Sequence, residues 1–338
     1  MQNAGRKGIR QKKYWICRLG SEGGKIMEKY RRLDLFTLEL GSDLCSEKCL
    51  DEILKIIPLV RKEIFEKYGV VIPNVRIKEN KTLNPLEYVI KVNGYSAERF
   101  EFKKNSILIL DTGFVKNAMN GKPAKEPVFG APGLWITKGK KAAAEQNGYV
   151  VLSASKIIRV HLTEKIKENL SSVITTQYVG ELLAEVIKEN EFLCTQLVKK
   201  YGNASLTVVK LVLCSLLEEG VSIRNLLPIL ETISNEPKFD REKIPSLVNK
   251  VRCSITPDIM EPICNDNNEI NVILLSQSLS DFLFDNIDDR GLITIDQLTT
   301  QWFVNELSSR ITEMTEQGLH PVVLCVEPLR FRVIPNSG

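Results

Sequence analysis

The spacing of apolar residues changes twice along this chain, and this change most constrains its fold. Between about residues 35 and 152 the apolar positions come in short, mostly alternating runs, which are typical of β-strands bounded by turns. From about 176 to 253 they recur every three or four residues, as on the buried face of α-helices. After residue 254 short strands and helices alternate again. No single layer arrangement satisfies all three patterns, so the sequence predicts an α+β protein with several subdomains.

Two positions in the first region make sharper local predictions. A helix is expected over residues 46–68, with Pro58 inside it. Because proline lacks the backbone N–H and crowds the preceding turn, we expect a kink or a break into two pieces. Asn93 and Gly94 tolerate the positive φ that a two-residue hairpin turn requires. The sequence therefore predicts a β-hairpin around them.

A segment rich in glycine and proline interrupts the strand pattern. Residues 111–133 contain four glycines and three prolines, and Trp135 and Ile136 follow them. This composition favours a long loop anchored by the two apolar residues, and long ordered loops are often functional. After the next strand, either Ser153 or Ser155 can accept the N-terminal amide hydrogens of a helix.

Charge is distributed unevenly. Residues 1–32 carry ten Lys or Arg and two Glu, whereas the remaining residues carry 36 basic and 40 acidic side chains. Glycines in the basic segment indicate a flexible linker arm, although such an arm can also contact nucleic acid or anionic lipid. The mildly acidic body argues against a nucleic-acid-binding domain. Apolar runs of about 18 residues are absent, so the chain as given reads as globular and soluble.

The sequence offers little for catalysis. It has two histidines, His161 and His320, and no phosphate-binding loop, nucleophile elbow, HExxH or dinucleotide fingerprint. We expect His161 to be a helix-face or core histidine with a hydrogen-bond partner. The eight cysteines are scattered, as in reduced cytosolic proteins, and Cys45 and Cys49, the only close pair, lack further zinc ligands. We therefore expect no catalytic residue, metal or cofactor; an enzyme with an unrecognised site is the alternative.

Four separate segments carry a resemblance to a known family. In their order and spacing they resemble the cytosolic domain of the large export gate subunit shared by flagellar and virulence type III secretion systems. The resemblance extends over about residues 35–325. The segments are 70–94 (VVIPNVRIKENKTLNPLEYVIKVNG), 126–136 (EPVFGAPGLWI), 148–162 (GYVVLSASKIIRVHL) and 211–233 (LVLCSLLEEGVSIRNLLPILETI).

The resemblance implies two interleaved α/β subdomains, a helical subdomain and a C-terminal α/β subdomain. The first subdomain is interrupted by the second, which is inserted into it. The implied parts are a basic linker arm (1–32), the first subdomain (33–104 plus 154–173), the insert (105–153), the helical subdomain (174–253) and a shortened last subdomain (254–338).

The resemblance also implies a non-enzymatic role. Family members form a ring, commonly nonameric, at the cytoplasmic face of the bacterial inner membrane, where they receive export chaperones carrying cargo and contact other export apparatus subunits. Membrane attachment is expected only through an N-terminal transmembrane part that this chain lacks, and no nucleic acid is expected as a partner. The family continues beyond Leu324 and Cys325 with a helix and a strand, so we expect a fragment or a degenerate paralogue. The alternatives are a soluble paralogue with a structural or chaperone-binding role, or a nucleic-acid-binding protein acting through its basic arm.

The family's chaperone-binding dimple lies between the first two subdomains. By resemblance it comprises Glu126, Phe129 and Val160, with Trp135 beside them. An aromatic ring on a rigid loop can anchor an amphipathic helix, and a nearby carboxylate can select its polar or basic flank. The alternative is that Phe129 and Trp135 merely fill the junction between subdomains.

This chain departs from the family pattern at several positions. Glu126 replaces the usual Asp and Val160 a small polar residue, which predicts a more apolar dimple. Ser222 and Arg224 fall where the resemblance implies contacts between subunits of the ring. Pro228, close to them, lies inside a helix that the family forms without proline.

Overall fold

A computed structural model of the chain describes residues 34–111, 113–236, 243–288, 293–326 and 329–330. The predicted basic arm of residues 1–32 lies outside this part. The described residues divide into two compact units. One contains the chain up to Tyr178 together with Leu217–Gly220, and the other contains Val179–Leu216 and the residues from Val221 onwards. Mixed helices and small sheets confirm the predicted α+β class, while the finer subdomain boundaries stay predictions.

The first sheet is built around a hairpin at the predicted position. Asn93 has a φ of 52° and Gly94 a φ of 83°, the left-handed backbone that a two-residue hairpin turn needs. In the strand order β2-β1-β3-β4, β1 is parallel to β2 and antiparallel to β3. The strands are β1 (Phe36–Leu40), β2 (Arg76–Glu79), β3 (Glu87–Val92) and β4 (Tyr95–Glu101).

Helix α1 (Glu47–Tyr68) runs without interruption past Pro58. The predicted break into two pieces is therefore wrong, and the other predicted form, a kink at Pro58, stays a prediction. Pro58 lies on the exposed side of the helix, where water can reach the carbonyl that loses its amide partner. Burial of Ile56 and Val60 on either side of the proline holds the helix together.

The second sheet corrects the predicted long loop. Residues 111–133 contain a strand and a tight hairpin, and Pro123 lies on an edge strand, where a missing N–H costs no ladder bond. The strand at Lys122–Lys125 (KPAK) is short and polar and lacks the apolar alternation by which a strand is recognised in a sequence. The strand order is β6-β7-β5-β8, with all neighbours antiparallel. The strands are β5 (Ser106–Leu110), β6 (Lys122–Lys125), β7 (Pro132–Thr137) and β8 (Val150–Leu152).

Two helices complete this part of the first unit. Helix α2 (Lys141–Gln146) buries Ala144 in a core with Ile109, Ile136, Tyr149 and Val151. Helix α3 (Ala154–Glu168) follows, and of the two predicted caps it is the Ser153 hydroxyl that accepts the Lys156 amide hydrogen, at 3.3 Å. Helix α3 packs against α1.

Helices predominate in the described residues of the stretch predicted to be helical, 176–236 and 243–253. Helix α7 has Pro228 as its third residue. The first four amide groups of a helix have no intrahelical acceptor, so the missing N–H costs nothing there. At the other end of α7, the Tyr201 hydroxyl donates to the Ile233 carbonyl at 2.8 Å. The helices are α4 (Thr176–Glu189), α5 (Glu191–Tyr201), α6 (Ser205–Glu218), α7 (Leu226–Asn235), α8 (Ile244–Ser254) and α9 (Thr256–Met260).

The last part of the described chain is a small α/β module, as predicted. Its two strands pair in parallel, and its core contains Leu275, Leu283 and Leu329. None of the helices in the described ranges is long and apolar enough to cross a membrane. The elements are β9 (Val272–Leu274), α10 (Gln277–Asp285), α11 (Gln297–Glu316) and β10 (Val322–Leu324).

A buried carboxylate ties the first sheet together across three strands. The Glu39 side chain on β1 is 3% exposed and lies 3.0 Å from Lys78 on β2 and 2.8 Å from Lys91 on β3. Asn80 donates a further hydrogen bond to it at 2.7 Å. Burial by itself raises the pKa of Glu39, but the hydrogen bonds from Lys91, Lys78 and Asn80 outweigh burial and the pKa is lowered overall.

Glu39→Gln is expected to lower the free energy of unfolding by about 2 kcal/mol at pH 7, because it removes charge-assisted hydrogen bonds. Since the folded-state pKa is lowered, this contribution is fully present above the ordinary pKa of 4.5. The contribution is lost as the pH falls through the folded-state pKa. Urea unfolding of the native chain and the variant at pH 7 and pH 3 measures this contribution to the free energy of unfolding. The control is Glu101→Gln, an exposed glutamate of the same sheet, and an equal loss at both pH values would contradict the assignment.

Candidate functional site

The loop of residues 126–131, called here the hairpin loop, joins β6 to β7 and is held by its own backbone. The Glu126 amide donates to the Ala131 carbonyl at 2.8 Å, and the Gly130 amide donates to the Glu126 carbonyl at 3.0 Å. The Glu126 side chain is folded inward and accepts from the amides of Val128, at 3.0 Å, and Phe129, at 2.7 Å. With Glu126 only 5% exposed, its carboxylate fixes the loop conformation.

Phe129 is the exposed member of the predicted site. Its side chain is 70% exposed although its amide is bonded to Glu126. A large apolar side chain held in water by a fixed backbone loses little conformational freedom when a partner covers it. The structure therefore presents Phe129 as an anchor that is ready to be buried.

Trp135 is placed differently from Phe129. It is 8% exposed, and its ring stacks on Phe100 of β4 with 6.3 Å between the centroids and 20° between the planes. Lys103 lies over the ring at 5.7 Å. Trp135 therefore packs at the junction of the two sheets, whereas Phe129 projects from the hairpin loop.

An aromatic cluster connects the first sheet to the second. Phe100 and Phe102 meet edge to face at 5.2 Å, and Tyr88 of β3 lies 6.2 Å and 5.7 Å from them. Through Phe100 this cluster reaches Trp135 on β7. Such pairs add about 0.5–1.5 kcal/mol each beyond area burial. They fix the position of the hairpin loop relative to the first sheet.

Helix α3 is tied to the same cluster by a buried hydrogen bond. The Tyr88 hydroxyl and the His161 Nδ1 atom are 2.8 Å apart, which confirms the expected core histidine with a partner. Burial raises the pKa of Tyr88, and the carboxylates of Glu126 and Glu98 raise it further. Burial also lowers the pKa of His161 against the opposing effect of Glu98 and Glu126. Both side chains are therefore neutral at pH 7.

Val160 precedes His161 on α3 and is 37% exposed. Successive residues of a helix point about 100° apart, so the inward direction of His161 leaves Val160 towards the surface. Glu126 acts electrostatically on His161. Val160 therefore lies on the exposed side of the helix whose buried side carries His161.

Ser222 and Arg224 lie in the second unit and do not belong to this arrangement. They are in the segment between α6 and α7, where the Arg224 amide donates to the Ser222 hydroxyl at 3.2 Å. The predicted residues therefore belong to two different units.

Sequence reasoning missed the residues that hold the site in place. Tyr88, Phe100 and Phe102 received no role, although Phe100 and Phe102 alternate as two residues on one face of a strand do. The alternation was the available signal. Their contact with Trp135 depends on the pairing of two sheets and is not visible in a local pattern.

The match to known proteins extends over nearly the whole chain. A family model described as the FHIPEP family covers residues 3–335. The chain belongs to the FHIPEP family.

Curated relatives of this FHIPEP chain include flagellar biosynthesis proteins named FlhA. FlhA of Borreliella burgdorferi is 32% identical over 308 residues, which cover 88% of this chain and 43% of that protein. FlhA of Helicobacter pylori strain J99 is 27% identical over 94% of this chain and 43% of that protein. The FHIPEP chain thus spans less than half the length of these relatives.

The fold of this FHIPEP chain is also that of solved structures. The Chlamydia pneumoniae CdsV and CdsO protein complex matches with a TM-score of 0.68 at 18% identity, over 89% of this chain and 91% of that one. Nonameric EPEC SctV-C, solved by cryo-EM, matches with a TM-score of 0.64 at 19% identity, over 85% and 92%. At these identities the matches establish the fold.

Glu126→Ala is expected to release the hairpin loop. The amides of Val128 and Phe129 lose their acceptor, so their hydrogen exchange should accelerate and the free energy of unfolding should fall by about 1–2 kcal/mol. Hydrogen exchange measured by NMR reports both amides. Glu145→Ala, an exposed carboxylate on α2 of the same sheet module, is the control. Unchanged exchange in Glu126→Ala would show that the carboxylate does not hold the loop.

Proposed function

We propose that this chain is the cytosolic docking platform of a type III protein export gate and binds export chaperones with their cargo. The observation that carries this function is Phe129, 70% exposed on a loop whose backbone is closed by Glu126. Support also comes from membership of the FHIPEP family and from the FlhA relatives. Binding, and not catalysis, is the role assigned.

The physical basis of docking is an apolar anchor on a preformed loop. Burying one aromatic side chain contributes roughly 2 kcal/mol, and the rigid loop reduces the entropy lost on binding. Val160, where the family usually has a small polar residue, adds apolar area on α3. Trp135 supports the site from behind through its stacking on Phe100. The partner that fits such a site is an amphipathic helix presenting its apolar face.

Assembly as a ring at the cytoplasmic face of the bacterial inner membrane is part of the same function. The fold shared with nonameric EPEC SctV-C supports self-assembly, and the fold shared with the CdsV and CdsO complex supports contacts with other export apparatus subunits. Ser222 and Arg224 carry the contact between neighbouring copies. Pro228 follows these residues in the first turn of α7, where a proline does not interrupt the helix.

Phe129→Ala is expected to weaken binding of a purified flagellar chaperone–cargo complex by about tenfold or more, because it removes the apolar anchor. Surface plasmon resonance against the immobilised chain measures the affinity, and circular dichroism checks the fold. The matched control is Phe114→Ala, since Phe114 is another strongly exposed phenylalanine near the same sheet, at 81% exposure. Equal affinities for the native chain and Phe129→Ala, or no binding by the native chain, would reject docking at this site.

Arg224→Glu is expected to weaken ring formation, because it reverses a charge in the segment assigned to subunit contacts. Mass photometry over a concentration series measures the distribution of oligomers. Lys199→Glu, an exposed lysine on α5, gives the same kind of charge reversal elsewhere in the second unit. A native chain that stays monomeric at all concentrations, or a ring that Arg224→Glu leaves intact, would contradict the contact.

A further inference from the structure

The segment that carries the hairpin loop has an unusual surface charge. Residues 103–152 contain eight lysines, no arginine and three carboxylates. One of these, Glu126, is buried, and another, Glu145, pairs with Lys141 at 3.8 Å. All eight lysines are exposed, and within the described part of the chain the other seven form no ion pair. The outward charge of this module is therefore positive although the body as a whole is acidic.

Three of these lysines, called here the lysine rim, lie on or beside the strands that carry the hairpin loop. Lys122 on β6 lies directly opposite Trp135 in the strand register, and opposed residues of an antiparallel pair point to the same face. The Lys103 ammonium lies 5.7 Å from the Trp135 ring. Lys125 ends β6 and immediately precedes Glu126. The lysine rim comprises Lys103, Lys122 and Lys125.

The carboxylate of Glu126 is not available to select the charge of a partner. Both of its oxygens already accept backbone amide hydrogens, from Val128 and Phe129, and the side chain is 5% exposed. A basic group on a partner has little access to this buried carboxylate, whereas the lysines of the same segment are exposed. Glu126 is therefore a positioning residue, and the groups that meet the flank of a partner are ammonium groups.

We infer that the lysine rim makes this docking surface selective for an amphipathic helix with an acidic flank. This inference rests on the proposed docking function, in which Phe129 supplies the apolar anchor. The rim attracts carboxylates and repels ammonium groups, and it acts on the association rate and on the choice of partner. Pro123 lacks an N–H on the edge strand β6, which disfavours addition of an extended strand and favours a helix as the occupant.

A polypeptide fits this surface better than a nucleic acid does. Single-stranded nucleic acids are bound by several exposed aromatic rings in a basic groove. Here Phe114 and Phe129 are exposed, whereas Trp135 and Phe102 are buried in the aromatic cluster. Arginine, the residue best suited to bidentate phosphate recognition, is missing from residues 103–152.

The test uses three fluorescent 20-residue amphipathic peptides with the same apolar face and with Glu, Gln or Lys on the polar flank. Fluorescence anisotropy measures their affinity for the full chain in 50 mM and 500 mM NaCl. The native chain should bind the Glu peptide about tenfold more tightly than the Lys peptide in low salt, with a smaller ratio in high salt because ions screen the rim. In the Lys122→Glu, Lys125→Glu double variant this order should invert.

Two variants separate this inference from the docking function itself. The control double variant Lys48→Glu, Lys55→Glu replaces two exposed lysines of α1. It changes the net charge by the same amount as the rim variant and should preserve the preference for the Glu peptide. Phe129→Ala should lower the affinities for the Glu, Gln and Lys peptides by a similar factor, since the three peptides share the apolar face. The basic arm is present in every variant, so it cannot produce a difference between them.

Each outcome bears on the lysine rim. If Phe129→Ala weakens all peptides while reversal of Lys122 and Lys125 leaves their order unchanged, docking stands and the rim is not selective. If the α1 control variant inverts the order as well, the preference reflects net charge and the rim is rejected. A 20-nucleotide single-stranded DNA that competes as well as the Glu peptide would also overturn the inference, as would a native chain that binds none of the peptides.

Discussion

The stacking of Trp135 on Phe100 is the contact on which the rest of the first unit depends. The insert is joined to the first sheet by only two chain connections, one after β4 and one before α3. Two such connections alone leave a module free to rotate. The aromatic cluster removes that freedom, because Phe100 packs on Trp135 and Tyr88 continues the cluster to His161 on α3. The hairpin loop and helix α3 are thereby held against one frame.

Two buried carboxylates in this unit are satisfied by different chemistry, and the difference decides their roles. Glu39 is paired with the ammonium groups of Lys78 and Lys91, so it joins three strands and depends on pH. Glu126 is satisfied by the amides of Val128 and Phe129, so it shapes a loop. A carboxylate buried in either way is shielded from an external partner. The charge that a partner meets then comes from side chains that the fold leaves unpaired, which around the hairpin loop are lysines.

Membership of the FHIPEP family and the exposed Phe129 both support the docking function proposed above. The family match covers residues 3–335, whereas the exposure of Phe129 concerns one side chain whose position has a physical cause. Val160 is 37% exposed on α3 and, in the proposed docking, adds apolar area there. Docking in this chain is therefore expected to rely on apolar burial for affinity and on surrounding charge for selectivity.

The sequence by itself determined the kind and order of most elements, the hairpin at Asn93 and Gly94, a serine cap at Ser153 or Ser155 and the helical stretch, because these depend on local spacing and backbone preference. It also pointed to Phe129 through a family resemblance. The course of α1 past Pro58, the edge strand hidden in KPAK, and the separation of buried Trp135 from exposed Phe129 were decided by tertiary structure. The reason is physical: a helix that continues past a proline, an edge strand and an inward carboxylate each depend on neighbours distant in sequence, and only packing sets which side of a residue faces water.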